Sequence, residues 1–272
     1  MKRVSCFMII IFIYGCGPKN GLLFKMNTTP ETNYKQDVEG YFETTVKYID
    51  SGKLVQNLND IDINNPAVSR YRFKILSTLK TGKLINGIYF PVTLEFNSWT
   101  RNDSIPIVAK GTTMYGKENL GEMPVMDSIS STGMSSVVKK SLLKAMNDMF
   151  LEYSLPDKKL NIGDTFTHST PLEVAVGGRP IDMTVKSTYK LIGIGNGIAT
   201  FNLTQTYNII VSDYIVEGSG SGNGQMQYNI GQHFSIYFQE ASAFTCKMKI
   251  NAMNINYSSK SNLIQKNSIS PN

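Results

Sequence analysis

Histidine, cysteine and tryptophan are scarce in this sequence: two, three and one among 272 residues. His168 and His233 stand far apart, and neither has a cysteine or an acidic cluster at metal-ligand spacing. No serine or cysteine is paired with a histidine in a nucleophile-base pattern. No catalytic, cofactor-binding or metal-binding residue is therefore assigned, and no cofactor is expected. Long hydrophobic runs are also missing. Val4 to Tyr14 is uncharged and apolar, but its eleven residues fall short of the roughly 20 needed to cross a bilayer. Lysines and arginines total 27 against 21 acidic residues, yet they are dispersed, with no basic cluster interleaved with aromatics. That distribution argues against nucleic acid as a partner.

What is present begins at the N-terminus. Lys2 and Arg3 precede the short apolar run, the order of a secretory signal. The run ends in Ile13-Tyr14-Gly15-Cys16, which resembles the lipobox of bacterial lipoproteins. The resemblance implies removal of residues 1–15, lipidation of Cys16 and attachment to a membrane through that lipid. Two or three acyl chains hold far more firmly than one. Gly17-Pro18-Lys19 carries no acidic residue beside the cysteine. The expected location is thus the outer membrane of a Gram-negative bacterium, on its periplasmic or surface face. Loss of Cys6 with the signal and acylation of Cys16 leave Cys246 alone, so a disulfide cannot hold the domain and its core must.

Period-two alternation dominates the rest. Phe42, Thr44, Val46 and Tyr48 share one face; so do Tyr71, Phe73 and Ile75, and so do Ile88, Phe90, Val92, Leu94 and Phe96. After residue 180 the pattern returns in Met183 to Leu191, Ala199 to Tyr207 and Phe244 to Ala252. One apolar and one polar face per strand is the signature of an antiparallel sheet with a solvated side. Asn86-Gly87 and Asn196-Gly197 read as hairpin turns. Residues 100–134 read as irregular. Ser135 to Tyr153 reads as an amphipathic helix, with Val138, Leu142, Ala145, Met146, Met149 and Tyr153 on its apolar face. The fold class expected is mainly β (α+β): a large curved antiparallel sheet or half-barrel packed on one helix at about 135–153. The expected organisation is a signal at 1–15, a lipidated flexible tether at 16–40, a single domain at 41–260 and a disordered tail at 261–272.

The lipobox, the alternating strands, the helix, Leu155-Pro156-Asp157, Asn161-Ile162-Gly163-Asp164-Thr165-Phe166 and Gln227-Tyr228-Asn229-Ile230-Gly231 together resemble a family of uncharacterised bacterial lipoproteins with a domain of unknown function. Long strands wrapping a helix look, more remotely, like the Lol-type carriers, which hold acyl chains between a half-barrel and its helices. Those resemblances imply a non-enzymatic envelope protein that binds a hydrophobic ligand or acyl chain in a concave sheet. Met123, Met126, Met146 and Met149 are the candidate lining residues, because flexible thioethers suit an apolar pocket. Two alternatives stay open: a structural or protein-interaction module of the envelope with a closed core, and a glycan-binding surface lipoprotein using Trp99. The glycine run Gly218 to Gly224 lacks the Lys-Ser/Thr of a phosphate loop and reads as room for close approach to the sheet. A weak echo of Gly82 to Ile88 in Gly193 to Ile198 suggests two similar half-sheets flanking the helix.

The lipobox generates a direct test. Cys16→Ser should block signal removal by lipoprotein signal peptidase and abolish the acyl mass increment, read by intact-protein mass spectrometry. Unchanged size and membrane attachment in the variant would overturn the assignment.

Overall fold

The structure, a computed structural model, describes residues 21–49, 64–152, 159–176, 179–210, 215–250 and 253–272. Cys16 and the expected signal at 1–15 lie outside the described residues.

Two antiparallel meanders build one open 12-stranded sheet. The first runs β2 (Thr32–Ile49), β3 (Ala67–Thr81), β4 (Tyr89–Arg101), β6 (Thr112–Asn119) and β7 (Val125–Ser130), with short β5 (Ile105–Val108) beside β4. The second runs β9 (Thr165–Val176), β10 (Arg179–Gly195), β11 (Ile198–Ile209), β12 (Ile215–Asn229), β13 (Phe234–Ile250) and β14 (Met253–Pro271). The strand order β7-β6-β4-β3-β2-β14-β13-β12-β11-β10-β9 places the first and last long strands side by side in the middle. Their register runs unbroken from Thr32↔Pro271 to Ile49↔Asn254. The outer strands β7 and β9 are joined by the helix α1 (Ser136–Glu152) and by β8 (Lys159–Leu160), which pairs with β1 (Leu22–Leu23).

The turn chemistry is that of the sequence. Asn86 and Gly87 have φ of 53° and 71°, and Asn196 and Gly197 have 50° and 75°, the left-handed pairs that close tight hairpins. The strands bury one face, with Phe90, Val92, Leu94 and Phe96 of β4 and Ala199, Phe201 and Leu203 of β11 at 2% exposure or less. The glycine run lies inside β12. Gly218, Gly220, Gly222 and Gly224 point to the concave face, and a Cβ on Gly224 would strike the carbonyl of Gln239 on the neighbouring strand. The glycines let the sheet curl tightly there.

Four expectations are corrected. Residues 21–40 are no free tether: Phe24 and Tyr34 are buried to 1% and 0%, and β2 begins at Thr32. Residues 261–272 are no frayed tail: 261–271 form the second half of β14, the central strand. Its apolar side chains are spaced among Ser, Asn and Gln, so local polarity hides it. Residues 100–134 hold β5, β6 and β7. On the helix, Val138 is 52% exposed, and the buried side is carried by Met146 and Phe150, with Leu142 and Met149 partly covered. Tyr153 lies outside the described residues.

A chain lacking residues 261–272 should lose 11 of the 18 residue pairs of β14 with β2 and 6 of the 14 with β13, and with them cooperative unfolding. Circular dichroism in urea checks this; a parent-like transition would contradict the topology.

Candidate functional site

Alternation aligns side chains of neighbouring strands into rows on the concave face. One row reads Trp99, Ile75, Val38, Gln265, Phe238 and Met226, across β4, β3, β2, β14, β13 and β12. On one side of it lie Phe96, Ser77, Gln36 and Asn267. On the other lie Phe73, Gly40, Leu263, Glu240, Gly224, Leu203 and Tyr189. These rows floor a cavity of about 320 Å³. Its roof is the inner side of α1, with Leu142, Ala145, Met146, Met149 and Phe150, together with Met123 and Pro124 before the helix. Met26 and Thr28 of the N-terminal segment close another wall. Among the described residues no Lys, Arg, Asp or Glu lines it.

The roof is held by more than apolar packing. Asn147 of α1 donates from Nδ2 to the Met126 carbonyl at 2.9 Å and accepts from the Met126 amide at 2.8 Å. The side chain thereby occupies backbone groups of β7, an edge strand, and ties the helix to it. The Ser135 hydroxyl accepts from the Val138 amide at the start of the helix, a weak cap at 3.4 Å.

Three of the four methionines read as lining residues, Met123, Met146 and Met149, face the cavity; Met126 does not, being 2% exposed within the wall beside β6. Trp99 also lines the cavity, its ring 5.5 Å from that of Phe96, rather than presenting a stacking platform outside. His168 sits on β9 opposite Ser187, and His233 lies at positive φ with Nδ1 3.3 Å from the Tyr228 hydroxyl. The structure does not bring the two histidines together. Cys246 is free and 2% exposed, and burial pushes its thiol pKa up, which leaves it unreactive.

Sequence reasoning missed Glu118 at the far end of this wall. Its side chain is 0% exposed and is held by Thr28, whose amide donates to Oε1 at 3.2 Å and whose hydroxyl donates to Oε2 at 2.6 Å. Desolvation pushes its pKa up to about 7, against the opposing effect of those two hydrogen bonds. Half-buried Glu240 is also raised by desolvation, and accepts from Gln205 Nε2 at 3.0 Å. Neither residue has a local sequence signal. Thr28, which holds the Glu118 carboxyl, is 90 positions away.

No family model and no curated protein matches the chain. Among solved structures, an outer membrane channel from Pseudomonas putida F1 pairs with 93% of this chain and 99% of its own, at 7% identity and a TM-score of 0.22. A likeness that low carries no argument about fold or function.

Glu118 gives a pH test. The unfolded carboxyl ionises near its ordinary 4.5 while the folded one holds its proton to about 7. The folded state therefore binds more protons between those values, and stability falls as pH rises through them, by about 3 kcal/mol in all. Glu118→Gln should remove that part of the slope: from pH 4.5 to 8 the parent should lose about 3 kcal/mol more than the variant in urea unfolding. Parallel pH profiles would contradict the burial of an ionisable carboxyl here.

Proposed function

We propose that the protein is a non-enzymatic, lipid-anchored lipoprotein of the bacterial envelope that holds a hydrophobic ligand between its concave sheet and α1. The observation that carries the reading is the cavity beneath the helix, about 320 Å³ and apolar over most of its lining. That volume falls at the lower end of the range for small-molecule pockets. A purely structural module would be expected to let the helix fill the concavity. Here Leu142, Met146 and Met149 stop short of the floor formed by Ile75, Val38 and Phe238. The lipobox-like Ile13-Tyr14-Gly15-Cys16 supplies the anchor in this reading, and the absence of an acidic residue after Cys16 favours the outer membrane of a Gram-negative bacterium. A surface glycan site based on Trp99 has less support, because the indole faces the cavity. The reading assigns no catalytic residue.

The ligand would enter as apolar surface leaving water, worth roughly 25 cal/mol per Å² buried. Thioethers and the unbranched stems of the methionines would adapt to its shape.

Extraction of the gently purified protein followed by mass spectrometry tests the proposal. The parent should carry a chain-bearing apolar compound. Met149→Trp, which fills space under the helix at a cost of about 1–3 kcal/mol, should carry far less while melting cooperatively. A parent with no extractable ligand, or a variant loaded like the parent, would overturn it.

A further inference from the structure

The chemistry of the cavity restricts what it takes. Its apolar floor is bracketed by two polar rows. On one side Ser77 donates to Gln36 Oε1 at 3.0 Å, and Gln265, the polar member of the central row, donates from Nε2 to Asn267 Oδ1 of that side row at 3.2 Å. Both glutamines line the cavity, and these bonds use only half of each amide. Among the described residues the Nε2 donor of Gln36 and the Oε1 acceptor of Gln265 have no hydrogen-bond partner, and neither is a buried unsatisfied atom. One donor and one acceptor thus reach a space whose wall is mostly hydrocarbon, the lining hydroxyls of Thr28, Ser77 and Ser235 already donating to Glu118, Gln36 and the backbone. On the other side the adjacent row reads Ser261, Ser242, Gly222, Gln205, Ser187 and His168.

Among the described residues no lysine or arginine lies in the cavity lining or in these rows. The ionisable groups nearby are carboxyls: Glu118 behind Thr28, and Glu240 in the row of Leu263 and Tyr189. An anion entering here would lose its water without meeting a cation, and an unpaired buried charge is far costlier than an unpaired amide. A neutral group that both accepts and donates loses little, because Gln36 and Gln265 replace its water.

We propose that the ligand is an uncharged amphiphile, a hydrocarbon chain bearing a hydroxyl, ester or amide, with that group set between Gln36 and Gln265. The inference rests on the cavity being a ligand site and goes further by excluding anionic chains such as free fatty acids and phospholipids. Leaving either amide unpaired against pure hydrocarbon would sacrifice its hydrogen bond, so a bare alkane is disfavoured as well.

Displacement of N-phenyl-1-naphthylamine fluorescence from the purified protein at pH 8 decides the matter. In the parent, 1-monomyristoylglycerol should displace the dye at a concentration about tenfold or more below that of myristate, the factor expected from a satisfied against an uncompensated polar group. In the Gln36→Leu/Gln265→Leu double variant the dye should still bind, while the advantage of the neutral lipid shrinks to near unity. Myristate displacing as well as the neutral lipid in the parent, a measurement that needs no variant, overturns the inference and leaves the cavity reading standing. An unchanged ratio in a dye-binding double variant overturns the assignment to the two glutamines. Failure of the parent to bind the dye overturns both the inference and the cavity reading.

Discussion

The pairing of β2 with β14 is the constraint on which the rest depends. It joins the two ends of the chain along 18 residues of β2 in the middle of the sheet. Each meander must therefore grow outward, and the chain between them has to pass from one outer edge, β7, to the other, β9. Eleven strands along that path would span roughly 48 Å if flat, at about 4.8 Å each. The helix of 17 residues covers about 25 Å. A curled sheet shortens the crossing, and the helix that makes it comes to lie over the concave face. The roof of the cavity is thus a consequence of topology before it is a matter of packing.

The same topology explains why the space below the helix is not closed. A curved sheet offers a concave face wider than one helix can cover. Met146 and Phe150 reach into the apolar cluster with Phe234 of β13 and Tyr34 of β2, and Asn147 is committed to the backbone of β7. Held on that side, the helix leaves the floor around Val38, Ile75 and Phe238 uncovered. At the opposite end Ile181, Met183, Phe244, Cys246, Met248 and Tyr257 pack into a buried cluster on the open sheet, with the glycines of β12 permitting the curvature. One end of the curved sheet is a packed core; the other leaves a cavity beneath the helix.

Much of this was legible in the sequence. Period-two alternation and the Asn-Gly turns identified the long strands, and helical spacing located α1 to within a residue at each end. The four methionines were picked for their chemistry, and three face the cavity. What escaped was set by partners remote in sequence. β14 carries Ile255, Tyr257, Leu263 and Ile269 on one face, separated by Ser, Gln and Asn, because part of that face meets a cavity and a polar row instead of a dry core. Phe24 and Met26 look like part of a polar leader until β8 and β13 supply their neighbours. Gln36 falls in the expected tether and Gln265 in the expected tail until the register sets them in adjoining rows of one floor.

Trp99 permits the most direct test of the central claim, that a chain-bearing ligand lies between the helix and the sheet. It is the sole tryptophan of the sequence and lines the cavity. Bromine quenches indole fluorescence only at contact distance, so titration with a monoacylglycerol brominated along its chain reports occupancy of that space alone. The account requires saturable quenching at one equivalent. Unquenched fluorescence at concentrations where the lipid is bound would contradict it, by placing the ligand elsewhere.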